Sequence, residues 1–271
     1  MDELWRNDMN LGQALEYVLK GEALLFLGAG FSKGAINCNH EQVKDAKELS
    51  QKLFEEMGMP YDPEKSLNVI SEYFQKKEGR ARLLELLRDE YSIKEVTETH
   101  KTIMKYNWKR IYTTNYDDAA EQASIENGIY RIPVTLSNKL DQTKDRREIV
   151  IHLNGFIEEM VEDTLNKEVK LTKVSYALES LEENQWATVL KKDVEEAEVI
   201  IFIGYSLTYD IDLQRIIIKN SDNRDKIYFI NGEVDEIDRV VIEQYGHIEP
   251  LYSEDLAQLL VKKEREMKSS G

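Results

Sequence analysis

Five short runs rich in apolar and β-branched residues, each ending in small or polar residues, constrain this chain more than any other feature. Val199 to Ile203 and Lys226 to Ile230 are the clearest, because Val199-Ile200-Ile201-Phe202-Ile203 and Ile227-Tyr228-Phe229-Ile230 contain no polar interruption, as expected of strands covered on both faces. Ala23 to Leu27, Arg110 to Thr113 and Glu148 to Leu153 read the same way, and Tyr130 to Leu136 is a weaker candidate. Segments of helical period separate them. The pattern predicts an α/β fold with a Rossmann-like parallel sheet and helices on both faces, residues 1–271 forming a single domain.

The longest separation, residues 33–109, holds too much periodic sequence for one crossover helix. Leu49, Leu53 and Met57, then Leu67, Ile70 and Phe74, then Leu83, Leu87 and Tyr91 recur at helical spacing, divided by Gly58-Met59-Pro60 and Gly79. An inserted helical lobe is expected there. A smaller helical insertion is expected over 156–197, with helices from Lys173 to Leu181 and Glu183 to Glu196. Asp210 to Asn220, Asp235 to Tyr245 and Glu254 to Lys268 read as later crossover and terminal helices.

Charge and cysteine content remove several classes of function. With 36 Lys plus Arg against 52 Asp plus Glu, the formal charge is −16, the wrong sign for a surface that neutralises nucleic-acid phosphates. One cysteine, Cys38, allows neither an internal disulfide nor the paired cysteines of a structural zinc site, so no metal is expected. The polar, acidic N-terminal stretch lacks the apolar core of a signal peptide, and no apolar run is long enough to cross a bilayer. The expected compartment is the cytoplasm.

The chemistry lies where the strands end. Leu24 to Leu27 runs into Gly28-Ala29-Gly30-Phe31-Ser32-Lys33-Gly34, glycines that permit a tight turn and leave backbone N–H groups to hold a pyrophosphate. An ordinary glycine-rich turn is the plainer reading. The spacing misses G-x-G-x-x-G, and no strand with a ribose-binding acid follows at the interval a dehydrogenase requires, which disfavours hydride transfer. The second strand runs into Thr113-Thr114-Asn115-Tyr116-Asp117, where Asn115 can orient a water or ribose hydroxyl and Asp117 can accept from an amide. Alternatively, Asn115 starts a turn and Asp117 caps a helix from Asp118 to Glu126. His152-Leu153-Asn154-Gly155, Gly204-Tyr205-Ser206 and Asn231-Gly232 end three more strands with polar or small residues. His100 opens the apolar stripe before the second strand, whereas His40 and His247 fall in polar loops.

In content and order, Gly28-Ala29-Gly30-Phe31-Ser32, Thr113-Thr114-Asn115-Tyr116-Asp117, the Asn154-Gly155 strand end and Gly204-Tyr205-Ser206 resemble the sirtuin fold. The closer resemblance, over roughly residues 20 to 232, is to the sirtuin-like NAD-hydrolysing domains of bacterial antiphage defence proteins. It implies that Gly28, Ala29, Gly30 and Ser32 hold the pyrophosphate and nearby ribose, with Asn115 beside the nicotinamide ribose; Thr114 lies at the same strand end, where a ligand would be touched. Asp117 would take the carboxamide, and Gly204, Ser206 and Asn231 the adenosine side. The zinc cysteines of protein-deacylating sirtuins are absent, which argues against a deacylase.

One departure bears on catalysis. The family's general-base histidine stands immediately before the strand-end glycine, but here Asn154 holds that place and His152 lies two residues earlier. On a continuing strand both would face the site, His152 about 7 Å further back; the alternative is a hydrogen-bonded core histidine. The function implied is NAD glycohydrolysis to nicotinamide and ADP-ribose, with Asn115 and His152 catalytic and Asn154 in the nucleotide site. The rival reading is an NAD or ADP-ribose sensor or scaffold subunit that turns over slowly or not at all. A homo-oligomer or regulatory partner protein is expected to restrain a depleting activity, with no membrane or nucleic-acid partner.

Overall fold

The computed structural model describes residues 9–140, 148–163, 165, 170–172, 175, 181, 184–205, 211–218 and 221–270. Among these, nine strands form: β1 (Ala23–Leu27), β2 (Ile36–Asn37), β3 (Ile93–Glu95), β4 (Arg110–Thr113), β5 (Ile132–Thr135), β6 (Ile149–His152), β7 (Val199–Ile203), β8 (Ile227–Ile230) and β9 (His247–Glu249). The α-helices are α1 (Leu11–Lys20), α2 (Ala46–Glu56), α3 (Leu67–Glu78), α4 (Arg80–Tyr91), α5 (Glu98–Met104), α6 (Ala119–Ile125), α7 (Gln185–Glu196), α8 (Ile211–Ile218), α9 (Glu236–Ile242) and α10 (Ser253–Ser270). Seven strands make one sheet in the order β5-β6-β4-β1-β7-β8-β9, and each pairing within it is parallel.

The apolar runs explain the layering. Side chains alternate across a strand, so β1 sends Leu25 and Leu27 to one face and Leu24 and Phe26 to the other, and both faces are covered. On the first face Leu25, Ile111 and Ile201 pack with Leu15 and Val18 of α1, Ile103 of α5, Ala123 of α6 and Leu260 of α10. The second face meets Trp186 and Leu190 of α7, Leu213 and Ile216 of α8 and Ile242 of α9. Register places Tyr112, Phe26, Phe202 and Phe229 side by side on this face, their rings stacked at 5.0, 4.5 and 4.7 Å between successive centroids. Phe202 stands inside this ladder and is fully buried. Phe202→Ala is expected to cost about 3–5 kcal/mol, read as a lower denaturant midpoint at unchanged slope.

A third core belongs to α2, α3 and α4. Leu49, Leu53, Met57, Ile70, Phe74, Leu83, Leu87 and Tyr91 are all buried there, with Ile157 and Met160 from the segment after β6. The expected stripes are thus the packing surfaces of these helices. Glu90 of α4, fully enclosed, ties them to the sheet side: it accepts from the Lys44 N–H (3.1 Å) and Asn37 Nδ2 (3.3 Å), and pairs with the ammoniums of Lys44 (3.2 Å) and Lys52 (3.1 Å).

The structure adds elements the sequence reading missed. His247 lies in β9, an edge strand, rather than in a polar loop, with its ring stacked on Tyr228 at 5.1 Å. β2 and β3 form a small antiparallel pair beside the first loop. Of the helix expected from Lys173 to Leu181, only residues 175 and 181 are described. Among the described residues, no helix is long and apolar enough to cross a membrane.

Candidate functional site

β1 has β4 on one side and β7 on the other, and the chain visits the β4 side before returning to β7. Connections leaving neighbouring strands in opposite directions open a crevice beyond their carboxyl ends, where open α/β sheets bind ligands. The loops after β1, β4 and β7 meet there.

Their contact explains the glycines. Gly28 N–H donates to Ile203 O and Gly30 N–H to Gly204 O, both at 3.0 Å, while Phe31 N–H returns to Gly28 O at 2.9 Å. A Cβ on Gly30 would stand 2.6 Å from Gly204 Cα, closer than real side chains approach backbone. Gly204 itself sits at φ +58, which favours glycine. The turn was expected to offer its row of amides to a pyrophosphate. Instead, those of Gly28, Gly30 and Phe31 are engaged within the protein, and the Ala29 and Ser32 N–H groups remain without a partner among the described residues. His100 pins the turn from behind: its Nδ1 accepts from Thr97 N–H (3.0 Å), so the proton is on Nε2, which donates to Phe31 O (2.6 Å). Burial lowers the His100 pKa and keeps the ring neutral.

Beyond β4 the chain forms a relay of side chains. Asn115 Nδ2 donates to Gly28 O and to Ser32 Oγ, each at 2.9 Å, and Ser32 Oγ donates to Asp117 Oδ2 at 2.7 Å. Both amide hydrogens are thereby held by the β1 loop, so the Asn115 Oδ1 acceptor is left for the crevice. Asp117 Oδ1 also accepts from Ala119 N–H at 3.1 Å, so Asp117 both caps α6 and anchors Ser32. Burial pushes its carboxyl up to about 6, against the pull of the Ser32 and Ala119 hydrogen bonds.

His152 lies beneath this relay. It is fully buried against Phe156, with Nδ1 at 3.1 Å from the Asn115 backbone oxygen and Nε2 at 3.0 Å from Glu121 Oε1 of α6. The Asn115 oxygen can only accept, so Nδ1 carries a proton; with Glu121 ionised, Nε2 donates as well and the ring is an imidazolium paired with Glu121. Burial, the largest single influence, works to lower its pKa, but the charge and hydrogen bond of Glu121, the Asn115 oxygen and the Asp117 charge together raise it. β6 ends at His152, so strand alternation does not carry on to Asn154, which sits in the following turn with Nδ2 3.3 Å from Thr114 O. The expectation that both face the site is corrected by that ending.

Two cavities of about 510 Å³ each flank the β1 loop. Ala29, Ser32, Thr114, Asn115 and Asp117 line the first, together with residues of the helical lobe such as Tyr91. Ala29, Gly30, Gly204, Asn231 and Tyr252 line the second, where the Asn231 amide clamps the Tyr205 backbone through Oδ1 (3.1 Å) and Nδ2 (2.8 Å). Ala29, Lys33 and Asp45 belong to both. His152 and Asn154 line neither cavity, Gly28 backs the loop, and Ser206 lies outside the described residues. Lys33, Asp45 and Tyr252 were missed. The Asp45-x-x-Glu48 box announces the start of α2, which it caps, but carries no sign of a cavity wall.

A family model described as the SIR2-like domain matches residues 109–226, which span β4, β5, β6 and β7 and end just before β8. Over those residues the chain is similar to the SIR2-like domain. It is 30% identical over 229 residues to a protein named NAD(+) hydrolase ThsA from Acinetobacter baumannii (strain 532279), covering 82% of this chain and 45% of that one. A protein of the same name from Bacillus cereus (strain MSX-D12) is 28% identical over 216 residues, covering 77% of this chain and 42% of the relative. The chain spans less than half the length of these two curated relatives. A solved structure described as the structural basis for the mechanism and regulation of Sir2 enzymes superposes with a TM-score of 0.51 at 17% identity, over 96% of this chain and 98% of that one, so this chain shares its fold.

Proposed function

We propose that this chain hydrolyses NAD to nicotinamide and ADP-ribose. The observation that carries the reading is the Asn115–Ser32–Asp117 relay, which fixes an amide acceptor and a buried carboxylate in one cavity while a second cavity opens across the same loop. The curated relatives named NAD(+) hydrolase support it. The nicotinamide and its ribose would occupy the first cavity and the adenosine the second, with Ala29, Gly30 and Ser32 along the pyrophosphate. Lys33, reaching both cavities, would add a cation to it.

In the reaction the bond from the anomeric carbon to the nicotinamide nitrogen breaks, its electron pair leaving with the ring. Water bonds to that carbon and releases a proton. Asn115 Oδ1 would hold the water or a ribose hydroxyl, and an ionised Asp117 would face the developing positive charge. His152, with both nitrogens engaged, would position Asn115 through its backbone oxygen instead of acting as the base. Asn154 would brace the loop through Thr114.

A second reading, an NAD or ADP-ribose sensor, is favoured by the enclosure of His152 and by Asn154 preceding Gly155. We further infer that the protein works in the cytoplasm in antiphage defence, restrained by self-association or a regulatory partner. Incubating purified protein with NAD and following nicotinamide and ADP-ribose by mass spectrometry separates the readings: bound nucleotide with no consumption in any assembly state rejects hydrolysis. If turnover occurs, it is expected to fall as pH drops through about 6, where Asp117 gains its proton. Asp117→Asn should remove that limb from the pH–rate profile.

A further inference from the structure

A third cavity, of about 690 Å³, lies between α2, α3 and the chain around Tyr116 and Leu171. It shares Ala46, Leu67 and Tyr116 with the cavity containing Asn115. Its charge runs against the rest of the molecule. Lys47, Lys65 and Lys170 line it and, among the described residues, no carboxylate does, on a chain whose formal charge is −16. Lys170 is enclosed at 6% exposure, while Lys47 and Lys65 stand exposed at the rim.

Donors converge on the same space. The N-terminus of α3, a 12-residue helix, contributes Ser66, Leu67 and Asn68 to the lining, and the Ser66 hydroxyl donates to Asn68 Oδ1 (2.6 Å) rather than capping the helix. No acidic residue occupies its first turn, whereas α2 next to it is closed by Asp45. That leaves the positive end of the α3 dipole unanswered by protein. Independently, Ser50 lines the cavity at 4% exposure, and its hydroxyl has no hydrogen-bond partner among the described residues. Buried hydroxyls without partners are rare. Tyr61, Pro63 and Leu171 add a wall for an apolar or planar group.

We propose that this cavity is a second nucleotide site, taking a phosphorylated nucleoside whose phosphate lies between Lys47, Lys65 and the N-terminus of α3 and whose ring lies against Tyr61. Tyr116 connects it to the first cavity: its side chain lines both, its hydroxyl donates to Lys170 O at 2.8 Å, and it follows Asn115 in the chain. Occupancy would thereby bear on the Asn115 relay, a regulatory consequence that rests on the NAD reading of the first cavity. Binding itself does not.

The test is calorimetric titration of the full chain with AMP, in the parent and in Lys47→Glu/Lys65→Glu, with thermal unfolding to check the fold. Lys47→Ala/Lys65→Ala serves if charge reversal prevents folding. The expected result is one class of AMP site weakened about ten-fold or more by the paired substitution. If the NAD reading also holds, a second class of AMP site persists in the variant; if it fails, the parent binds one AMP and the variant none. Identical AMP stoichiometry and affinity in parent and variants overturns the proposal, as does a parent that binds no AMP.

Discussion

Asn115→Ala is expected to lower turnover of NAD by about 10²-fold or more while leaving ADP-ribose affinity within a few-fold of the parent. Asn115 makes two hydrogen bonds that the alanine does not replace, to Gly28 O and Ser32 Oγ, and it also presents the acceptor Oδ1 to the crevice. Loss of the acceptor removes the group proposed to place the reacting water or ribose, an interaction that counts only when the reacting atoms are aligned. Loss of the donors frees Ser32, whose hydroxyl still has Asp117 at 2.7 Å. The pyrophosphate contacts proposed above are elsewhere on the loop, so binding should survive. Steady-state kinetics with NAD and titration with ADP-ribose separate the two effects. Equal loss of binding and turnover would make Asn115 a structural member of the loop, and unchanged turnover would remove it from the mechanism.

Local patterns made much of this legible, and non-local partners account for what was not. β1, β4, β6, β7 and β8 lie within the runs marked by apolar residues and their polar ends, since burial on both faces leaves a signature in each strand separately. β9 left none: three half-buried residues, His247-Ile248-Glu249, become a strand only because Tyr228, Phe229 and Ile230 offer them an edge. The glycines of the first loop were noticed for the right place and an incomplete reason. Their sequence spacing suggests backbone open to a phosphate, but the constraint on Gly30 comes from Gly204, which no spacing within the loop could reveal. Lys33 and Tyr252 reach the cavities only after the sheet brings distant loops together. Similarly, the pairing that engages His152 Nε2 involves Glu121, a helix residue whose relation to it is set by β4 and β6 lying side by side.

That pairing carries the second large effect. His152→Ala is expected to destabilise the protein by about 3–5 kcal/mol, because the Glu121 carboxylate, 5% exposed, loses the partner that balances its charge. The same substitution removes the N–H that holds the Asn115 backbone oxygen, so turnover should fall as well. A double substitution, His152→Ala with Glu121→Gln, separates the two roles: neutralising the buried carboxylate should restore much of the stability, while Asn115 stays unsupported and turnover stays low. The pH dependence has a defined sign. The His152 pKa is raised by folding, so its contribution is fully present below the unfolded value and is lost as pH rises through the higher folded value. Parent stability should therefore decline on the alkaline side of the ordinary histidine range, and the double variant should lack that component. Denaturant unfolding as a function of pH measures the first quantity and kcat of the refolded variants the second. Recovery of both stability and turnover in the double variant would leave His152 no part in positioning Asn115.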